Sequence, residues 1–147
     1  MPLSGFLISL LLAAPGSPIT WEPWSDAAFT RATREKRLVL VDVEAVWCHW
    51  CHVMDEKTYH DPAVVRLVRS RFVAVRVDQD AQPDISNRYE DYGWPATEVL
   101  TGEGRELVKL QGYIPPARMA SLLAAVADDP TPGPSAACSW PTTSWRP

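Results

Sequence analysis

Cys48 and Cys51 stand three positions apart, with His49 and Trp50 between them, Trp47 before them and His52 directly after. Two thiols at that spacing can close a disulfide, hold a metal, or, with the following histidine, spell the attachment signature of a c-type haem. The elements around the pair bear on the choice. Residues 38–43 (Leu-Val-Leu-Val-Asp-Val) are β-branched and nearly all apolar, which predicts a central strand covered on both faces. A helix is expected from Cys48 to about Tyr59. A cysteine at such a junction lies over the free N–H groups of the first helical turn, which stabilise its thiolate, and the second cysteine lies within disulfide reach. The pair therefore reads first as a thiol–disulfide exchanger.

Composition sets the frame. The chain has 147 residues, of which 46% are hydrophobic, enough for one core and too few for two full domains. Its net charge of −4, with Lys and Arg scattered among acids, offers no basic stripe, so nucleic acid is not expected as a partner. Residues 1–20 carry no charged side chain, and the apolar run 6–14 has the length of a signal-peptide core and is too short for a comfortable membrane span. Residues 1–16 are expected to be a signal peptide, 17–129 the folded domain, and 130–147 a disordered Pro/Ser/Thr-rich tail. That tail holds Cys138, an incidental thiol, with Trp140 and Trp145. Export would place the chain in the periplasm or outside the cell, with no stable membrane span; the alternatives are an uncleaved amphiphilic anchor, or a misplaced start with a cytoplasmic location.

The remaining punctuation predicts an ordered series. Ser25 caps a helix running to about Lys36, with Trp21 and Trp24 packing its base. Asp61-Pro62 opens a helix with Val64, Val65, Leu67 and Val68 as its apolar stripe. Residues 72–78 alternate as a strand, 83–92 form a short helix, and 96–100 with 106–110 form a hairpin through Gly102-Glu103-Gly104. Pro115-Pro116 begins an amphipathic helix bearing Met119, Leu122, Leu123 and Val126. The expected fold class is α/β, a four-stranded mixed sheet flanked by helices, in the order helix then β-α-β-α-β-β-α.

Three separated features resemble the thioredoxin-like superfamily: Cys48-x-x-Cys51 after the first strand, Asp42 six positions before Cys48, and Gly93-Trp94-Pro95-Ala96-Thr97 before the third strand. Gly112 also sits where that family carries a glycine. The wording Cys-His-Trp-Cys-His-Val-Met, then Tyr59-x-Asp61, Pro83-Asp84-Ile85, Tyr89 and Gly93-Trp94-Pro95, is similar to the thioredoxin-like N-terminal domain of spermatogenesis-associated protein 20 and its bacterial relatives. The resemblance spans roughly residues 21–126 and departs at Asp42, where those relatives lack an acid and working thioredoxins have one.

The resemblance implies two-step exchange: Cys48 attacks a substrate disulfide and Cys51 resolves the mixed disulfide. It makes Asp42 the candidate proton acceptor for Cys51, against the simpler reading of a hydrogen-bonded strand-end acid. Glu44, two residues on, shares its strand face and either substitutes for it or is solvated. Pro95 is implied to follow a cis bond, in a loop that presents backbone to an extended substrate beside Trp94 and Trp50. His49 and His52 are candidates for tuning the Cys48 thiolate, or ordinary helix residues. Trp47 is expected to pack beside the site, and Met54 and Met119 in the core. Expected partners are disulfide-containing proteins and a redox partner protein; the chain is expected to be monomeric, with no cofactor and no metal. The rival readings are c-type haem through Cys48-His49-Trp50-Cys51-His52, a metal on Cys48, Cys51, His52 and Asp55, and a non-catalytic interaction module.

Overall fold

The computed structural model describes residues 18–132, with the backbone alone for 90–92. The leader expected over 1–16 lies outside the described residues, as do Cys138, Trp140 and Trp145. Among the described residues no helix is long and apolar enough to cross a membrane.

The elements run β1 (Glu22–Pro23), α1 (Asp26–Glu35), β2 (Leu38–Glu44), α2 (His49–Lys57), α3 (Pro62–Arg71), β3 (Phe72–Asp78), α4 (Pro83–Ser86), a 3-10 helix (Asn87–Tyr92), β4 (Ala96–Leu100), β5 (Glu106–Gln111) and α5 (Pro116–Asp128). The sheet has five strands in the order β1-β3-β2-β4-β5. The expected four-stranded sheet is corrected by β1, which pairs parallel with β3 through Glu22 to Val75 and Pro23 to Arg76. Two residues leave no alternation to read in a sequence, and a proline is tolerated there because it sits on the sheet edge. The helix expected over 83–92 divides into a single α-turn and a 3-10 stretch.

Local chemistry explains the boundaries. Ser25 Oγ accepts the Ala28 N–H at 3.3 Å and Lys36 ends α1 in the left-handed region at φ 54°. Asp61 Oδ1 accepts from Ala63 N at 2.9 Å and Val64 N at 3.2 Å, with Pro62 in the first turn of α3.

Strand β2 is the spine. It runs parallel with β3 and antiparallel with β4, and its residues 39–43 are all buried. Val39, Val41 and Val43 share one face with Val73, Val75 and Val77 of β3, covered by Ala28 and Ala32 of α1. Leu40 lies on the opposite face with Met54 of α2, Val64 and Val68 of α3, and Met119 and Leu123 of α5. Period-two alternation puts Asp42 and Glu44 on this second face, toward α2. Met54 and Met119 are core residues, as expected. Trp21 and Trp24 separate: Trp24 packs on Phe29 of α1, whereas Trp21 crosses to Tyr59, centroids 4.8 Å apart. The base of α1 therefore receives one of the two expected tryptophans, because β1 carries the other past the sheet edge.

Candidate functional site

The end of β2 feeds through residues 45–47 into Cys48, whose backbone N–H donates to the Ala45 carbonyl at 3.0 Å. Cys48 is the N-cap of α2, and its Sγ accepts the Cys51 N–H at 3.2 Å. Sulfur thus occupies the position usually held by a serine or aspartate oxygen, facing orphan N–H donors at the positive helix end. Cys48 and Cys51 are bonded to each other, with Cα atoms 5.3 Å apart. Both are buried, in a small cluster with Ala45 against which Trp94 packs.

Trp94 precedes a cis peptide bond to Pro95. The Pro95 carbonyl accepts the Gly112 N–H at 2.7 Å, tying this loop to the end of β5. Gly112 has φ 81°, a conformation that side-chain-bearing residues rarely adopt. Trp50, Trp94, Gly112 and Tyr113 line a shallow groove beside the disulfide. Trp47 meets Trp94 edge-on at 5.7 Å, and Trp50 lies 5.7 Å from Tyr113. Val46, Trp47 and Trp50 are more than half exposed, so an apolar rim surrounds two buried sulfurs.

Of the two histidines, His49 lies against the Trp50 ring at 5.3 Å, while His52 Nε2 is bound to the Val46 carbonyl at 2.8 Å. His52 is thus committed to the loop that carries Trp47. Among the described residues no group of three or more His, Cys, Asp and Glu side chains is arranged to hold a metal ion. A c-type haem requires both sulfurs for its own bonds, and here they are joined to each other within a buried cluster.

On the face of β2 that turns toward α2, Asp42 is hydrogen-bonded through Oδ2 to Arg76 Nε at 3.1 Å. The parallel register places the two residues side by side. The same Nε faces Glu44 Oε2 at 3.4 Å, and Arg76 Nη2 donates to Asp55 Oδ1 of α2 at 2.7 Å. Trp21 stacks over the guanidinium at 4.2 Å. Burial pushes the Asp42 carboxyl up to about 7, against the opposing charge of Arg76 and with added push from Glu44 and Asp55. Glu44 is also raised, chiefly by burial. Arg76 stays charged because Asp42, Asp55 and Glu44 outweigh its own burial. Tyr59 Oη and Thr97 Oγ1 are buried near Asp42 without a well-formed hydrogen bond among the described residues.

Sequence reasoning brought Cys48, Cys51, Asp42, Trp94 and Pro95 into view but missed Arg76, Trp21 and Tyr113. Arg76 had a signal: it is the one basic residue in an apolar strand, and it pairs with the strand holding Asp42.

A family description matches residues 6–127. Human spermatogenesis-associated protein 20 is 33% identical over 99 residues, covering 62% of this chain and 13% of that protein. Thiol:disulfide interchange protein DsbD 1 of Pseudomonas aeruginosa is 29% identical over 136 residues, covering 86% and 23%. The chain therefore spans less than a quarter of the length of either curated relative. A thioredoxin of Thermus thermophilus superposes with a TM-score of 0.66 at 29% identity, over 75% of this chain and 88% of that one. The fold is thioredoxin-like, and the match over residues 6–127 means that the chain belongs to the Thioredox_DsbH family, described as "Protein of unknown function, DUF255".

Proposed function

We propose that the chain is a thiol–disulfide oxidoreductase acting on disulfide-containing proteins, with Cys48 as nucleophile and Cys51 as resolving thiol. The observation that carries the reading is the Cys48–Cys51 disulfide at the N-terminus of α2, with Cys48 Sγ accepting the Cys51 N–H. In the reduced state the same N–H and the helix dipole favour the Cys48 thiolate. That thiolate attacks one substrate sulfur, the substrate disulfide breaks, and the departing sulfur takes a proton from water. Cys51 then gives its proton to Asp42 and attacks Cys48 Sγ, releasing the second substrate sulfur as a thiolate that takes a proton from water, and leaving the enzyme disulfide. Two electrons pass from the enzyme dithiol to the substrate disulfide.

Asp42 suits this proton transfer because a carboxyl raised to about 7 exchanges its proton near neutrality. Trp50, Trp94 and the Pro95 loop receive the substrate segment, and His49, beside Trp50 and next to Cys48, tunes the thiolate; His52 acts through the Val46 loop instead. The leader-like run 6–14 supports an extracytoplasmic setting, where a partner protein must restore the redox state.

The test is insulin-disulfide reduction together with a glutathione titration of the pair. Activity is expected, and Cys48→Ser should abolish it. A potential near −270 mV would mark a reductant and one near about −120 mV an oxidant. A wild-type protein without exchange activity, or a Cys48→Ser variant that keeps it, would refute the reading.

A further inference from the structure

Asp42 is poorly placed to exchange its proton with solvent. Its side chain is 4% exposed, and the guanidinium it bonds is covered by Trp21. Tyr59 and the cross-strand neighbour Thr97 occupy its other sides. An acid that accepts a proton from Cys51 in every turnover must pass it on before the next one.

Glu44 lies on the same strand face, its side chain 25% exposed. Its Oε2 and Asp42 Oδ2 both approach one atom, Arg76 Nε, at 3.4 Å and 3.1 Å. That nitrogen carries a single hydrogen, so it cannot fully satisfy two carboxylates at once. Asp55 takes Nη2 of the same guanidinium. Three carboxylates thus surround one cation, and holding one proton between Asp42 and Glu44 relieves the repulsion. Besides Arg76, the charged and titratable groups near Glu44 are Asp55 and His52 from α2 and Asp78 from β3.

We propose that Glu44 is the proton exit of the site: it exchanges with Asp42 beside Arg76 Nε and delivers the proton from Cys51 to water at the end of β2. The step is a proton transfer alone. Cys51 loses a proton to Asp42, Asp42 returns to the carboxylate as Glu44 takes the proton up, and Glu44 releases it to solvent, with no change in electron count. Glu44 acts through Asp42 and touches no reacting sulfur, so it is a positioning residue and Asp42 is the group that meets the thiol. This inference rests on the proposed oxidoreductase reading.

The test compares wild type, Glu44→Gln and Glu44→Asp in insulin reduction across pH at constant ionic strength. Glu44→Gln should lower the rate near neutrality about tenfold. Its pH midpoint should move to lower pH by about half a unit, because a like charge beside Asp42 has gone. Glu44→Asp should retain most of the rate. A Glu44→Gln rate and midpoint equal to those of wild type would overturn the proposal, as would a Glu44→Asp rate that falls as far as that of Glu44→Gln. Absence of exchange in the wild-type chain would instead refute the oxidoreductase reading, so the two failures are distinguishable.

Discussion

Replacing Asp42 by Asn should change how stability depends on pH, in a direction the structure sets. Asn keeps the shape of the side chain and removes its titration. Asp42 binds its proton with a value of about 7 in the folded protein, against an ordinary 3.8. Between those values the folded state holds a proton that the unfolded chain has shed, so stability falls as pH rises, by about 1.4 kcal/mol per unit. From pH 5 to pH 7 the loss attributable to Asp42 is about 2 kcal/mol, and above about 7 the dependence levels off. The assay is urea unfolding of the oxidised protein at closely spaced pH values, for wild type and Asp42→Asn. The difference between the two curves reads Asp42 together with the part of the Glu44 titration that depends on it, since the remaining buried acids are common to both. The variant should gain on wild type by about 2 kcal/mol across that interval. A difference that stays flat from pH 5 to 8 would show that Asp42 is ionised in the folded protein at low pH, and the reasoning that burial outweighs Arg76 would be wrong.

Other changes test separate parts of the account. Arg76→Met leaves Asp42, Glu44 and Asp55 without their shared cation and should cost about 3 kcal/mol at pH 8, with a smaller loss at pH 5 where Asp42 is protonated; urea midpoints at the two pH values check this. On the other face of the sheet, Glu98 accepts a hydrogen bond from Tyr89, and burial pushes it up to about 8. Its folded state therefore retains a proton as pH climbs toward 8, and Glu98→Gln should flatten the fall in melting temperature between about pH 6 and 8. Gly102 has no room for a side chain, since a Cβ would stand 2.3 Å from Thr33 Oγ1 and 2.7 Å from its backbone nitrogen. Gly102→Ala should destabilise the fold by about 1–3 kcal/mol, read from thermal melts, while leaving exchange activity per folded molecule unchanged.

What could be read in advance follows the physics of each element. Strand β2 was legible because its five successive buried residues are apolar but for Asp42, and α3 because Asp61-Pro62 is a local start signal. The short β1 was not, since pairing along the edge of β3 is a long-range event with no periodicity of its own. The acid of β2, Asp42, was visible as a charge in a buried strand. Its surroundings were not, because they come from register: Asp42 meets Arg76 across 34 positions of sequence, and Asp55 reaches the same guanidinium from α2. Tyr113 joined the groove only once Gly112 had turned the chain back toward Pro95. His52, one helical turn past Cys48, was a reasonable tuning candidate by spacing, yet its imidazole is bound to the Val46 carbonyl.

The central claim is that Cys48 attacks and Cys51 resolves. It is tested most directly by trapping: a Cys51→Ala variant is reduced, freed of reductant, incubated with a disulfide-containing protein such as insulin, and analysed by mass spectrometry. The account predicts a stable mixed disulfide through Cys48 and none with Cys48→Ala under the same conditions. Accumulation of the adduct on Cys51 in the Cys48→Ala protein, with none on Cys48, would contradict it.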